Sequence, residues 1–260
     1  AHVVLVDRDQ TAINELKQLF ESHDNVTIMQ KDFKQASEIL LSKSERFDLI
    51  LADIGVSSLH LDKKERGFSL KNDGPLDMRM DQNADLTAYK VVNEYDVDEL
   101  TRVLRDYGEL RNAKYLAKQI VENRPFDSTL KLADFIAKKN RTKKWHKVHP
   151  ATVVFQAIRI EVNDELGLLE SSLPLWFELL KPGGKLAVIS FHSLEDRIVK
   201  KFVQKISADK YEAVGLNLTK KIVIPASDEI VYNPRSRSAK LRVVAKIKTK
   251  KEGDFNADSG

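Results

Sequence analysis

The 260-residue chain predicts an α/β protein with a mainly parallel sheet and an all-helical insertion. Three observations carry this. Short apolar runs ending in a carboxylate alternate with segments of helical period over residues 2–54. A loop rich in Gly, Ser, Asp and Pro then interrupts the rhythm and leads into three consecutive helical segments. The alternation resumes at His149-Pro150.

His2 to Val6 is a continuous apolar run ending in Asp7-Arg8-Asp9, the pattern of a strand buried on both sheet faces. Asp9 suits the N-cap of the next segment, where Ala12, Ile13, Leu16, Leu19 and Phe20 recur at helical spacing. Val26 to Met29 reads as a second strand, followed by Asp32-Phe33 and a helix around Ile39 to Leu41; Asp48 to Ile54 reads as a third. Gly55 to Asp85 has little periodicity, and a loop of that length in a compact domain is usually functional or disordered. Three helices are expected near 96–107, 112–123 and 128–140, the first opened by Asp96 with Glu99. After Pro150 a helix is expected to about Leu169, and a second through Trp176 to Leu180. Pro182-Gly183-Gly184 then turns into a strand over Lys185 to Phe191. Ser193 with Asp196 is expected to cap the next helix, and Lys220 to Ile224 with Leu241 to Ile247 to close the sheet. The expected division is 1–61 with 148–250 as the sheet domain, 62–147 as loop plus helical insertion, and 251–260 as a disordered tail. Because the chain opens on a buried-strand pattern, a preceding first strand is expected upstream of Ala1.

Hydrophobic content of 42% and charged content of 32% describe an ordinary globular protein. The chain has no cysteine, which excludes disulfides and thiolate metal sites, and no metal centre is expected. Apolar runs such as Val3 to Val6 are far too short to span a bilayer, and no signal peptide is recognisable, so a cytoplasmic protein without a membrane partner is expected. A net charge of +4 is only mildly basic; its local distribution is more informative.

Asp7 ends a strand at the place where doubly wound folds put an acidic residue that accepts from both ribose hydroxyls of an adenosine cofactor. Capping, its other use, is already supplied by Asp9. Asp32 and Phe33 follow the next strand, where a carboxylate can accept from the adenine amino group and a ring can cover the base; Phe33 as plain core is the alternative. Asp53, ending a central strand before Gly55, points toward the crevice in which open α/β sheets bind ligands. Methylation of an exocyclic amine requires its lone pair to leave ring conjugation. An acceptor aimed at the amine protons assists that and stabilises the developing charge. Asp53 fits this role, or the holding of a cofactor amino group. His192, between the fourth strand and the expected cap, is a candidate catalytic group, with a structural histidine as the alternative. Gln156, Arg159 and Asn163 are spaced three and four apart and share one helix face, a solvated stripe or one presented to a substrate base. Two basic clusters stand out. Residues 138–147 include Arg141, Lys143, Lys144 and Trp145; residues 235–240 include Arg237. Cations on phosphates with a ring for base stacking are how RNA affinity is assembled, whereas a lone charge run is usually just a solvated surface.

Taken together, Asp-Arg-Asp (7–9), Asp-Ile-Gly-Val-Ser-Ser (53–58), Glu-Arg-Gly-Phe-Ser (65–69), Gly-Pro-Leu-Asp-Met-Arg-Met-Asp (74–81), the block 149–163, Leu-Lys-Pro-Gly-Gly (180–184), Ser-Phe-His-Ser-Leu-Glu-Asp-Arg (190–197) and Arg-Ser-Ala-Lys-Leu-Arg (237–242) resemble the RsmH (MraW) family of bacterial 16S ribosomal RNA cytosine-N4 methyltransferases. The resemblance implies a class I, Rossmann-like methyltransferase sheet, S-adenosyl-L-methionine as methyl donor, and a helical insertion that helps recognise RNA. It implies a P-site cytidine of 16S rRNA in the small ribosomal subunit as target, and leaves a homodimer open. It places Asp7, Phe33 and Asp53 at the cofactor, with His60 standing where the family usually has glutamine; Asp32, read from its place after the second strand, is the remaining cofactor candidate. The candidates for the chemistry are Asp53, Asn163 and His192. Asp77, Arg79, Gln156, Arg159, Arg141, Lys143, Lys144, Trp145 and Arg237 fall on the substrate side. The family's glycine-rich loop, ending in Gly-Gly-His-Ser, is not among these residues, so weak cofactor binding is expected of them. Without cysteine, thiolate addition to carbon 6 of cytosine is closed, which favours a nitrogen target. A nicotinamide-dependent dehydrogenase, which would also use Asp7, and a non-catalytic RNA-binding ribosome-assembly factor are the rival readings.

Overall fold

The computed structural model describes residues 1–55, 62–139, 149–208 and 212–248. Contacts divide the chain into two compact units, one of residues 1–7, 22–55 and 166–260, the other of residues 8–21 and 56–165.

The first unit holds the strands. β1 (Val3–Asp7) pairs in parallel with β2 (Val26–Gln30), and β3 (Phe47–Asp53) pairs in parallel with β4 (Leu180–Ser190). β6 (Lys240–Lys246) runs antiparallel to both β4 and β5 (Gly215–Asn217), giving the order β3-β4-β6-β5 beside a separate β1-β2 pair. Parallel β1–β4 confirm the α/β reading; the antiparallel pairs are confined to the closing strands. Helix α2 (Phe33–Ser42) connects β2 to β3, α8 (Glu165–Leu179) precedes β4, and α9 (Ser193–Ser207) follows it. A short α10 (Ser227–Tyr232) and a 3-10 turn (Pro234–Ser238) lead into β6. Ala52, Ile54, Leu169, Leu173, Trp176, Phe177, Leu186, Val188, Val199, Val203 and Val244 form one buried core.

Several expectations are corrected. β1 is not buried on both faces, its residues ranging from half-buried to exposed; β3, expected as a central strand, is an edge strand paired with β4 alone among the described residues, and its Leu49 and Leu51 stand open to solvent. Pro182-Gly183-Gly184 does not precede β4 but bulges within it. Phe47 faces Leu180 while Leu49 already faces Lys185, and Gly183 takes a φ of 82° there. Lys220 to Ile224 is not a strand. β5 occupies the partner positions along β6, leaving a lone bridge from Val223 to Leu241, and Pro225 has no N–H to extend it.

β4 begins at the residue after α8 ends, so no loop separates them. The last carbonyls of a helix need partners, and here a strand from the far end of the chain supplies one. Buried Lys246 of β6 donates from Nζ to Glu178 O and Leu180 O, each at 2.9 Å, and lies over the Phe177 ring. Burial, then the nearby Arg46, pushes its ammonium below the ordinary lysine range.

The second unit is helical: α1 (Gln10–Leu19), α3 (Ala88–Asn93), α4 (Val97–Asp106), α5 (Ala113–Glu122), α6 (Thr129–Lys139) and α7 (Thr152–Asn163). Asp96 and Glu99 form the expected capping box of α4. The helix after Pro150 ends earlier than expected. Asp164 takes a left-handed φ of 47° and its N–H closes on Glu161 O, so the break falls there rather than near Leu169. Residues 62–85 fold into an ordered crossing rather than a slack loop. Leu76, Met78 and Met80 alternate into the helical core, turning Asp77 and Arg79 outward. No helix among the described residues is long and apolar enough to cross a membrane.

Candidate functional site

In the first unit the expected cofactor residues sit at the carboxyl ends of parallel strands. Asp7 ends β1, and its backbone carbonyl accepts from Lys31 N–H at 3.1 Å. Asp32 is the N-cap of α2, its Oδ1 accepting from Gln35 N–H at 2.8 Å, so part of its carboxylate serves the helix. The half-buried Phe33 ring meets Trp176 edge-on at 5.5 Å between centroids. Asp53 ends β3, and the chain beyond it is fixed by Ile54 N–H donating to Ile189 O. Gly55 follows at a φ of 125°, and a Cβ there would lie 3.2 Å from the Phe191 ring, so both the backbone angle and the neighbour favour glycine.

Across from β3, the turn after β4 is organised by a residue that the sequence reading did not single out. Buried Glu195 accepts from Phe191 N–H at 2.8 Å and His192 N–H at 3.2 Å. The N-cap of α9 is therefore His192, not Ser193. His192 Nδ1 accepts from Glu195 N–H at 3.4 Å, and the capping box runs 192/195 instead of 193/196. That bond requires the Nδ1 lone pair. Nε2 lies 3.0 Å from Glu195 Oε1 but off line for a hydrogen bond. Partial burial of an otherwise solvent-exposed Asp53, and secondly the negative charge of Glu195, hold its carboxyl above the ordinary range. Asp196, the other acid of this block, is bound by Arg242 at 2.7 Å. The box partner at 195 was legible in principle, since any acceptor three residues before a glutamate fits; serine at 193 is merely the commoner cap.

In the second unit, Asn163 is buried rather than presented. Its Nδ2 donates to Met78 O at 2.7 Å and Arg159 O at 2.9 Å, and its Oδ1 accepts from Met80 N–H at 2.8 Å. It thus grips residues 78–80 from α7. Arg159, on the same helix, makes a two-pronged pair with Glu165 at 2.8 Å on each prong. Gln156 is half-buried beside it in sequence. Asp77 and Arg79 bind each other through two parallel hydrogen bonds of 3.0 and 2.7 Å, and Arg79 Nη1 also donates to Gln82 O and Ala84 O. Burial acts to raise the Asp77 carboxyl, but the hydrogen bonds and charge of Arg79 outweigh it and hold it below the ordinary range. Arg66 completes the support: fully buried, it donates to Asp9 at 2.8 Å and to the carbonyls of Arg79 and Met80. Arg237 lies exposed in the 3-10 turn before β6. His60, Arg141, Lys143, Lys144 and Trp145 lie outside the described residues.

An α/β sheet with carboxylates and a glycine turn at the ends of its parallel strands defines the Rossmann-like class, which binds ligands outside those strand ends. Comparison with known proteins narrows this. A family model described as the MraW methylase family matches residues 1–247. Proteins called "Ribosomal RNA small subunit methyltransferase H" are among the similar curated proteins. That of a Nitratiruptor species is 48% identical over 256 residues, covering 93% of this chain and 83% of that protein. That of Caldicellulosiruptor saccharolyticus is 45% identical over 262 residues, covering 94% and 85%. That of a Nostoc species is 46% identical over 243 residues, covering 93% and 77%. The chain belongs to the MraW methylase family.

Proposed function

We propose that the chain transfers a methyl group from S-adenosylmethionine to N4 of a P-site cytidine in 16S rRNA, with the small subunit or its precursor as substrate. One observation carries the choice of amine chemistry: a carboxylate at the end of the parallel strand β3, Asp53, whose proton affinity is raised by partial burial and by Glu195. An acceptor of that kind takes a hydrogen bond from an amine as the nitrogen pyramidalises, and it can take up the proton that the methylated amine must lose.

The residues present suit the cofactor. Asp7 places a carboxylate at the strand end where a ribose would lie, Phe33 offers an edge-buttressed ring to the adenine, Asp32 its second oxygen to the adenine amine, and Gly55 a backbone that a ligand can approach closely. When bound, S-adenosylmethionine supplies an electrophilic methyl on a sulfonium. The protein's part is orientation and charge. Asp53 accepts from the N4 amine, Glu195 fixes the Phe191–His192 backbone beside Gly55, and no covalent intermediate with the protein forms. In the helical unit, Asp77, Arg79, Gln156 and Arg159 serve the RNA, with Asn163 holding the loop that carries the first two. The nearness in sequence of the relatives named above for ribosomal RNA small subunit methyltransferase activity supports the substrate class.

The test is transfer of labelled methyl to small subunits from a strain lacking the modification, followed by nucleoside mass spectrometry. N4-methylcytidine is expected. Asp53→Asn is expected to cut kcat about 100-fold or more, as removal of one preorganised acceptor does. Methylation at another atom, or an active Asp53→Asn variant, overturns the proposal.

A further inference from the structure

Residues 220–248 carry eight cations against two acids, Asp228 and Glu229. At least three of the eight have internal partners, Arg242 and Lys240 at Asp196 and Lys246 on backbone carbonyls. Lys220, Lys221, Arg235 and Arg237 stand exposed in the same stretch as apolar surface that the fold leaves uncovered. Tyr232 is 89% exposed, Val231 74% and Ile224 66%. Isolated exposed apolar residues are ordinary, but a tyrosine almost wholly in water next to a valine, amid unbalanced positive charge, is not.

The surface is built rather than slack. Asn233 N–H closes α10 on Glu229 O at 2.7 Å, and Asn233 O then accepts from Ser236 N–H and its hydroxyl. Ser236 is buried, which anchors the turn and leaves its neighbours Arg235 and Arg237 outside. The bridge from Val223 to Leu241 brings the 220–224 segment, with exposed Lys220 and Lys221, alongside the start of β6 where this turn ends. Nothing in the folding of the unit requires Tyr232 to face water; its side chain buries almost nothing.

We infer that Tyr232 and Val231, flanked by Lys220, Lys221, Arg235 and Arg237, form a docking surface for single-stranded RNA, the tyrosine ring stacking on a base and the cations meeting phosphates. Charge complementarity selects the partner: a polyanion whose units each carry a flat apolar face matches alternating cations and ring. The inference deepens the proposed function, on which it rests for the identity of the RNA as ribosomal.

The experiment uses the whole protein and a labelled single-stranded oligoribonucleotide spanning the target cytidine, read by fluorescence anisotropy. Tyr232→Ala is expected to weaken binding about 5- to 100-fold, the usual range for one lost base stack, and Tyr232→Phe to retain it. Arg235→Ala with Arg237→Ala should lower the salt slope of log K by about 1.4. S-adenosylmethionine affinity, by calorimetry, should not move in any of them. In methyl transfer the Tyr232→Ala defect should fall on KM for the particle, with kcat within about twofold. Unchanged RNA affinity in Tyr232→Ala overturns the inference. So does a loss of affinity that tracks dissociation of a dimer in ultracentrifugation, which would assign the surface to a second copy. If the wild type binds RNA through Tyr232 but transfers no methyl, the proposed function fails and this surface stands. If it transfers methyl and Tyr232 is neutral, only this surface fails.

Discussion

Asn163→Ala separates a structural clamp from a catalytic amide, and its effect can be worked out bond by bond. Alanine removes the acceptor of Met80 N–H and a donor to Met78 O, both on residues almost wholly buried. Each buried group left unpaired costs about 1–3 kcal/mol, so about 2–5 kcal/mol is expected, less whatever water can reach. The bond to Arg159 O lies within the helix and its loss adds little. At about 2–4 °C per kcal/mol for a domain of this size, melting should fall by roughly 5–15 °C. Asn163→Asp should be no better, because its carboxylate would keep the Met80 bond while facing the carbonyls of Met78 and Arg159. Urea unfolding followed by circular dichroism gives the global number, and amide exchange at Met80 gives the local one. A loss below about 1 kcal/mol, with Met80 still protected but methyl transfer abolished, would refute the clamp and return Asn163 to the chemistry.

Other outcomes follow from the same contacts. Arg66→Ala should cost about 3–5 kcal/mol in urea unfolding, because it takes the guanidinium partner from the buried Asp9 carboxylate, and adding Asp9→Ala should recover part of the loss. Gly67→Ala should unfold the 62–80 crossing, detectable by limited proteolysis, since a Cβ would lie 2.1 Å from Pro75 O at a φ of 72°. Asp53 binds its proton more tightly folded than unfolded, so stability should fall as pH rises from the ordinary carboxylate range through its raised folded value. Asp53→Asn should remove that fall, seen as a stability difference that grows over this interval and is flat above it. Asp77 has the opposite sign. Its contribution is complete above the ordinary carboxylate range and is lost as pH drops through its lowered value, a loss that Asp77→Asn should not show.

What the sequence revealed, and what it hid, follows from the kind of information each residue carries. Apolar runs closed by Asp7 and Asp53 announce strands because both the burial and the terminus are local signals, and β1, β2 and β3 lie where those runs are. Lys220 to Ile224 has a strand's composition, but pairing depends on a vacant partner, and β5 already lies along β6. Spacing puts Gln156, Arg159 and Asn163 on one face without saying what covers it; residues 78–80, about 85 positions earlier, cover Asn163. Glu195 escaped notice because helix-dipole chemistry explains any acid in a first turn equally well. Its burial and its bonds to Phe191 and His192 are tertiary facts. The exposure of Tyr232 is likewise a tertiary fact.

The junction between α8 and β4 imposes an order on assembly. Its two carbonyls wait for an ammonium that lies more than sixty positions later in the chain, on the strand that completes the sheet. Until that strand arrives, the abrupt change from helix to extended chain has no cation to close it, and a nascent polypeptide released before β6 would carry an open helix end beside an unfilled sheet edge. The last strand thus works as a keystone, and shortening the chain through Lys246 would be felt in the middle of the sheet rather than at its margin.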